Sequence, residues 1–382
     1  MNNLIEEYRF IDRIQDSNIN FLFGSGMSAG YLEILGNIEN LLTELDKKVF
    51  DDEKQKALIR ASILNKYFEG VIEKNTNILD EISTDPKLAS TLNSYKTFFK
   101  TLNQLILLRR NKLLSKQVNI FTTNIDIFLE KAVEEVGLES NDGFGKGFKP
   151  KYDLSNFKKS IFQKSLHFDN SSEIPVFNIL KIHGSLTWKY DGGNIYFDST
   201  LEQTKMLKIT SKSDLIEVIT EDIKSNEKDD LESLIAKITA STIDETKFSS
   251  FLEEYDKLSI VNPTKGKFQQ TVLEQKYYDL LRIYANELER ENTLLFVMGF
   301  SFADEHIAQI TKRAADTNPT LQVVVFAYSD EDEEGYKKNL QIEHGCSNNN
   351  ILILTPTKFK ELNNEKYSGL CSKVSFFDLK TI

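Results

Sequence analysis

Six short, mostly apolar runs predict the strands of a buried sheet. They cover residues 19–23, 118–121, 177–183, 294–298, 321–326 and 351–354. Hydrophobic side chains follow one another within these runs more often than they alternate with polar ones, which is typical of strands covered on both faces. Helical patterns separate the runs, so the expected architecture is a parallel α/β sheet with helices on both sides.

Apolar residues at helical spacing fill the long stretch between the first two runs. Leu88, Leu92 and Tyr95 belong to one such stripe. Residues 31–117 are therefore predicted to be an all-helical insertion, and the acidic residues 201–256 a second one. Further helices are expected at 1–17, 127–136 and 269–290, with a hairpin at 187–197 and a short strand at 259–261. We predict one Rossmann-like α/β domain over residues 1–382 that contains both insertions.

The composition excludes several classes of protein. With 47 basic and 58 acidic residues the net charge is −11, which disfavours general nucleic-acid binding but leaves a local basic groove possible. Two cysteines cannot form a four-cysteine zinc site or a secreted disulfide framework. The start of the chain lacks a basic, apolar leader, and no stretch is long enough to span a bilayer. A cytoplasmic location without a membrane partner is the expectation.

Polar or glycine-rich clusters directly follow four of the predicted strands. They are Gly24-Ser-Gly-Met-Ser28, Thr122-Thr-Asn-Ile-Asp126, Lys181-Ile-His-Gly-Ser185 and Gly299-Phe-Ser-Phe-Ala-Asp304. In parallel α/β sheets, ligands bind at the carboxyl ends of the strands. The four clusters are therefore expected to meet at one edge of the sheet.

The first cluster has the features of a phosphate-binding turn. Gly24, Gly26 and Gly30 follow a buried strand and precede a helical pattern. Glycine permits a tight turn and a close approach of backbone N–H groups to an anion. The spacing is one residue longer than the dehydrogenase fingerprint, and no acidic residue closes a second strand about 20 residues later. A glycine turn without a ligand is the alternative.

In order and character, the four clusters resemble the sirtuin-like family over residues 19 to about 330. The specific part is Thr-x-Asn-x-Asp at residues 122–126 followed by Lys-x-His-Gly-Ser at 181–185. The chain looks most similar to the divergent bacterial branch that consumes NAD in antiphage defence. The resemblance implies a sirtuin-like Rossmann fold with NAD as substrate.

The resemblance also implies roles for individual residues. Asn124 would orient a ribose hydroxyl or a water, Asp126 would meet the nicotinamide carboxamide, and His183 would be the base, because imidazole titrates near neutral pH. The structural alternatives are helix capping by Asn124 or Asp126 and a purely structural His183. The implied cofactor-binding residues are Gly24, Ser25, Gly26, Ser28, Thr123, Gly184, Ser185, Gly299, Ser301 and Asp304, of which Asp304 is equally well explained as a helix cap. No metal site is expected.

Two departures from the family separate the possible activities. Protein-deacylating sirtuins carry four zinc-binding cysteines, which this chain lacks. In this chain the first loop continues as Ala29-Gly-Tyr-Leu-Glu-Ile, which differs from the continuation found in those enzymes. Both favour hydrolysis of NAD by water, giving nicotinamide and ADP-ribose, over deacylation. An NAD-dependent protein deacylase, a non-catalytic NAD-binding subunit and a nuclease role within a complex are the alternatives. By resemblance, the expected partners besides NAD are further copies of the chain and either a HerA-type ATPase or another phage-sensing protein.

Overall fold

The computed structural model describes residues 15–34, 36–80, 84–109, 113–211, 231–238, 248–261 and 271–362. Most of the helix expected at 1–17 lies outside these ranges. Within the second predicted insertion, residues 212–230 and 239–247 also lie outside them.

A seven-stranded sheet forms the centre of the described residues. All of its strands are parallel, in the order β11-β10-β9-β1-β2-β6-β3. The strands of the chain are β1 Asn18–Phe23, β2 Gln117–Thr122, β3 Ser140–Asn141, β4 Ile161–Lys164, β5 Ser171–Ile174, β6 Val176–Lys181, β7 Trp188–Asp191, β8 Asn194–Phe197, β9 Thr293–Met298, β10 Gln322–Phe326 and β11 Ile351–Leu354. The predicted Rossmann-like α/β fold is thereby confirmed.

Helices cover both faces of the sheet, which explains why its strands are continuously apolar. Side chains of α1–α8 and α12 belong to the core cluster that contains Phe21 and Phe23 of β1, and side chains of α9–α11 belong to the cluster that contains Leu22. The helices are α1 Gly36–Lys47, α2 Glu53–Tyr67, α3 Asn75–Leu79, α4 Pro86–Leu107, α5 Phe128–Val136, α6 Glu202–Thr210, α7 Leu231–Ile238, α8 Ser249–Tyr255, α9 Thr271–Leu288, α10 Glu305–Thr317, α11 Asp332–Asn339 and α12 Pro356–Leu362. The connection from β1 to β2 therefore contains α1–α4, in line with the predicted helical character of residues 31–117.

The register of the strands aligns their carboxyl ends. Met298, Phe23, Thr122 and Lys181 are consecutive partners across β9, β1, β2 and β6. The four polar clusters begin at or just after this row. The sheet thus delivers all four to one edge, as the strand-end argument predicts.

Three details differ from the expectations. Strand β6 ends at Lys181, so His183 lies two residues beyond the strand that was expected to include it. The short strand expected at 259–261 is only an isolated bridge between Ile260 and Gly184. The antiparallel pair β4–β5 was not predicted, because its residues are mostly exposed and give little apolar pattern. The predicted hairpin at 187–197 is present as β7–β8.

A row of three asparagines crosses the middle of the sheet, with Asn20 and Asn178 buried and Asn119 half-buried. Asn20, Asn119 and Asn178 are register partners on β1, β2 and β6. Asn119 Nδ2 donates to Asn20 Oδ1 at 2.9 Å, and Asn178 Nδ2 donates to Asn119 Oδ1 at 2.9 Å. A slip of one residue would separate these amides and bury them without partners, so the row favours the register that aligns the strand ends.

Candidate functional site

The first glycine loop packs directly against the loop after β9. Gly24 N donates to Met298 O at 3.1 Å, and Gly26 N donates to Gly299 O at 2.9 Å. A Cβ on Gly24 would lie 2.5 Å from Gly299 O, and Gly299 itself has a φ of +62°. The glycines are therefore required for contact between two strand-end loops. The N–H groups of Gly24 and Gly26, which we expected to approach a phosphate, therefore already have acceptors within the protein.

The exposed part of this loop is the start of a short 3-10 helix, Ser25–Ser28. Ser25 and Gly26 are exposed, whereas Gly24 and Ser28 are buried. No side chain caps this helix at Gly24. An anion at the edge of the sheet would therefore meet Ser25 and Gly26 rather than the whole predicted set.

Asn124 fastens the end of β2 to the glycine loop. Its Nδ2 donates to Gly24 O at 3.0 Å, its backbone N donates to Thr122 Oγ1 at 3.0 Å, and the side chain is also near the Tyr95 hydroxyl. The residue is only 8% exposed. Neighbouring Thr123 is half-buried, and its N donates to Phe23 O. Asn124 does not cap α5, so the structure does not support the capping alternative for this residue.

Asp126 lies in a buried polar network. Ser28 Oγ donates to Asp126 Oδ2 at 2.8 Å and also lies 2.9 Å from the Tyr95 hydroxyl. Asp126 Oδ1 accepts from Phe128 N at 3.2 Å, which caps the first turn of α5. Burial raises the pKa of Tyr95, and the charge of Asp126 raises it further, so the phenol stays protonated. Both carboxylate oxygens of Asp126 are thus used inside the protein, which matches its capping alternative.

His183 and Asp304 form a hydrogen-bonded pair across the edge of the sheet. His183 Nε2 lies 3.1 Å from Asp304 Oδ2, although the two residues are 121 positions apart. Their side chains are 23% and 16% exposed, so the pair is partly shielded but still reachable. Asp304 Oδ1 meanwhile accepts from His306 N at 3.0 Å and Ile307 N at 3.2 Å, which caps α10. Asp304 therefore fills its predicted capping role and also binds His183.

The environment keeps the Asp304 carboxyl ionised. Burial alone would raise its pKa, but the hydrogen bond and charge of His183, with the N–H groups of α10, lower the pKa below its ordinary value. Tyr277 of α9 packs beside His183 with ring centroids 5.9 Å apart. Burial and the charge of Asp304 raise the pKa of Tyr277, so it remains a neutral wall of the site.

The remaining predicted residues divide into buried and accessible ones. Gly184 has a φ of +78°, and a Cβ there would lie 2.2 Å from Ser259 O. Ser185 is buried, and its Oγ bonds Thr187 Oγ1 at 3.0 Å. Ser301 is exposed, and its carbonyl accepts from Asn339. Among the predicted site residues, those that are exposed or half-buried are Ser25, Gly26, Thr123, His183, Gly299, Ser301 and Asp304, and Asn124 keeps 8% of its surface.

Three contributors to the site were missed at the sequence level. Tyr277 falls within the helix predicted at 269–290, and its pattern carries no signal for contact with His183. Tyr95 belongs to a helical stripe, where its hydroxyl gives no indication of a polar partner. Lys181 lies in the recognised Lys-x-His-Gly-Ser cluster but received no role.

The described residues contain no group of three or more side chains arranged to hold a metal ion. None of the helices within those same ranges is long and apolar enough to cross a membrane.

Comparison with known proteins identifies the family. The model of the SIR2-like domain matches residues 118–344, which include three of the four strand-end clusters but not the first glycine loop. A search of curated proteins found no match. SIR2-like domains are in general NAD-dependent enzymes. Because the matched region covers more than half of the 382 residues, the chain belongs to the SIR2-like family.

Proposed function

We propose that this protein is an NAD glycohydrolase, which cleaves NAD with water to give nicotinamide and ADP-ribose. The observation that supports this most directly is the His183–Asp304 pair at the carboxyl edge of a SIR2-like sheet. It supplies a base where such sheets bind their ligands. The exposed Ser25 and Gly26 stand at the same edge, where the pyrophosphate would be held.

The reaction requires few groups from the protein. The glycosidic bond between the ribose and the pyridinium breaks, its electron pair leaves with neutral nicotinamide, and an oxocarbenium-like state develops on the sugar, as in other glycosidic cleavages. Because the leaving group departs uncharged, it needs no general acid. A water oxygen forms the new bond to the anomeric carbon and loses a proton to a base, which makes the base the main chemical requirement.

His183 is the proposed base, and its pairing identifies the nitrogen that acts. An ionised Asp304 can only accept a hydrogen bond, so neutral His183 must carry its proton on Nε2. The lone pair is then on Nδ1, which we propose takes the proton from the water. The same carboxylate stabilises the imidazolium that results, so Asp304 is a positioning residue.

Asn124 is proposed to orient the ribose or the water through the 8% of its surface that remains exposed. Its side-chain amide also donates to Gly24 O, so its substitution would loosen the first glycine loop as well. Asp126 is only 3% exposed, and each of its carboxylate oxygens already accepts one hydrogen bond within the protein. Each oxygen can still accept a second hydrogen bond, so contact with the nicotinamide carboxamide would require the ligand to reach this buried position.

Water is the proposed acceptor because the sequence lacks what an acyl-lysine peptide would need. Its two cysteines cannot form the four-cysteine zinc module of protein-deacylating relatives. Release of an acetyl group from an acetyl-lysine peptide would favour the deacylase alternative. NAD binding without turnover, unchanged in His183→Ala, would favour a non-catalytic subunit.

We further propose that NAD depletion serves antiviral defence, in assemblies of several copies that act with a HerA-type ATPase. This step rests on the resemblance of the strand-end clusters to the defence branch, and it is an analogy. Loss of cellular NAD during phage infection, dependent on His183, would support it.

The test is to incubate the purified protein with NAD, alone and together with the HerA-type ATPase, and to quantify free nicotinamide and ADP-ribose. We expect equal amounts of both products, with release abolished in His183→Ala and Asn124→Ala. Full activity in both variants would remove these assignments.

A further inference from the structure

Lys181 is a buried cation that connects the two halves of the proposed site. It is the last residue of β6, is 3% exposed and lies two residues before His183. Its Nζ donates to the backbone carbonyls of Asn124, at 3.4 Å, and of Asp126. The same Nζ lies 3.2 Å from Glu130 Oε1 on α5.

These contacts account for all three ammonium protons. Lys181 holds the carbonyls of Asn124 and Asp126, and the carbonyl between them, Ile125 O, accepts from Leu186 N at 3.1 Å. Three consecutive carbonyls of the loop are therefore held. Lys181 and Leu186 bracket His183 in the sequence. The segment that carries the proposed base therefore holds the segment that carries Asn124 at three points.

We propose that Lys181 is a positioning residue, which fixes the loop bearing Asn124 against the segment bearing His183. The assignment rests on the proposed function for its catalytic meaning, but the contact itself concerns only the protein. A backbone carbonyl is a fixed acceptor, so an ammonium bound to two of them sets the path of the loop. An apolar side chain of similar length, such as methionine, has no N–H group to donate and cannot do this.

Glu130 balances the buried charge, and the partner of its carboxylate among the described residues is Lys181 rather than the loop from Asn124 to Asp126. Burial raises the pKa of Glu130, and the charge of Lys181 opposes that rise. Its Oε2 has no hydrogen-bond partner among the described residues. The two roles of Lys181, as an ion-pair partner and as a donor to carbonyls, can therefore be separated by changing Glu130 alone.

The experiment compares Lys181→Met with Glu130→Gln, and uses Lys131→Met as the control. Lys131 is also a lysine near α5 acids, 3.6 Å from Glu134 and 3.8 Å from Glu135, but it binds no carbonyl of the loop. Two quantities are measured: amide hydrogen exchange over residues 123–128, and kcat and KM for nicotinamide release from NAD. Several amides within residues 123–128 are hydrogen-bonded, among them those of Thr123, Ile127 and Phe128, so their protection is measurable.

We expect Lys181→Met to speed exchange in this loop at least tenfold and to lower kcat at least tenfold. Glu130→Gln and Lys131→Met should stay within about threefold of the wild type in both quantities. Equal impairment of Lys181→Met and Glu130→Gln would overturn the proposal, because ion pairing would then be the whole role of Lys181. Unchanged exchange and kcat in Lys181→Met would overturn it as well.

If Lys181→Met fails to fold, Lys181→Met with Glu130→Leu replaces the buried pair by an apolar one, which often restores stability. We expect the double variant to be folded but to keep the fast exchange and the low kcat. Wild-type values in the double variant would refute the positioning role. Failure of the wild type to release nicotinamide would reject the hydrolase function, and the exchange data would still decide whether Lys181 holds the loop.

Discussion

Replacement of Asp304 by asparagine separates its two roles. Asp304 uses Oδ1 for two N–H groups at the start of α10 and Oδ2 for His183. Asparagine has a single side-chain oxygen and caps helices about as well as aspartate. If that oxygen stays on the helix, the NH₂ group must face His183 Nε2, which then has to accept. The proton moves to Nδ1, and the proposed base is lost.

The expected loss of activity follows from the role of the base. General acid–base catalysis contributes about 10²–10⁴-fold, so Asp304→Asn should lower kcat by about that factor, or about 2.7–5.5 kcal/mol in barrier height. Because the side chains of His183 and Asp304 are only 23% and 16% exposed, solvent should screen little of their interaction. The unfolding free energy at neutral pH should change much less, because the cap is retained.

The matched control is Asp304→Ala, which removes both roles. It should lose a similar amount of activity and also about 1 kcal/mol of stability through the missing cap. The assay is nicotinamide release at saturating NAD, with thermal unfolding of each variant. An Asp304→Asn variant with wild-type kcat would refute the assignment of the tautomer and of Nδ1 as the base.

The same carboxylate makes a pH-dependent contribution to stability. The pKa of Asp304 is lower in the folded protein than the ordinary value of about 3.9. A depressed acid stabilises the fold above its unfolded pKa and loses that contribution as the pH falls through its folded pKa. The stability difference between wild type and Asp304→Asn should therefore shrink below about pH 4. A difference that keeps growing below about pH 4 would contradict the direction of the shift.

Three further substitutions test the framework of the site by thermal or urea unfolding. Gly299→Ala places a Cβ 2.5 Å from Met27 N at a positive φ and should cost at least about 1–2 kcal/mol, whereas Gly335→Ala, with open space around it, should be neutral or stabilising. Ser28→Ala deprives Asp126 of a partner and should cost about 1–3 kcal/mol, and equal stability would show that this network is dispensable. Asn119→Leu leaves Asn20 Oδ1 buried without its partner and should cost about 1–3 kcal/mol; a stabilised variant would contradict a contribution of the asparagine row to the fold.

The fold could be predicted from the sequence because its signals are local. The strands β1, β2, β9, β10 and β11 are mostly apolar runs separated by helical stripes, and all of them except β10 end next to a glycine or a polar residue. The meeting of the four clusters followed from the geometry of parallel sheets. The exposed pair β4–β5 was missed, because a strand that buries little leaves no hydrophobic period to detect.

The contacts inside the site were not predictable in the same way. The pairing of His183 with Asp304 joins residues 121 positions apart, and nothing in either cluster specifies it. The sequence explained Gly24 and Gly26 by approach to a ligand, whereas both pack against the loop of Gly299. The motif around Asp126 likewise gives no sign that Ser28 Oγ donates a hydrogen bond to its carboxylate. Side-chain partners across loops depend on packing that no local pattern encodes.

We propose that the His183 imidazole, held by Asp304, activates the water that attacks NAD at this edge of the sheet. The most direct measurement is the rate of nicotinamide release by wild type and by His183→Ala at equal, saturating NAD, with NAD binding measured for both proteins. We predict that the variant still binds NAD but releases nicotinamide at least a hundredfold more slowly. Release at the wild-type rate by the variant would contradict the account.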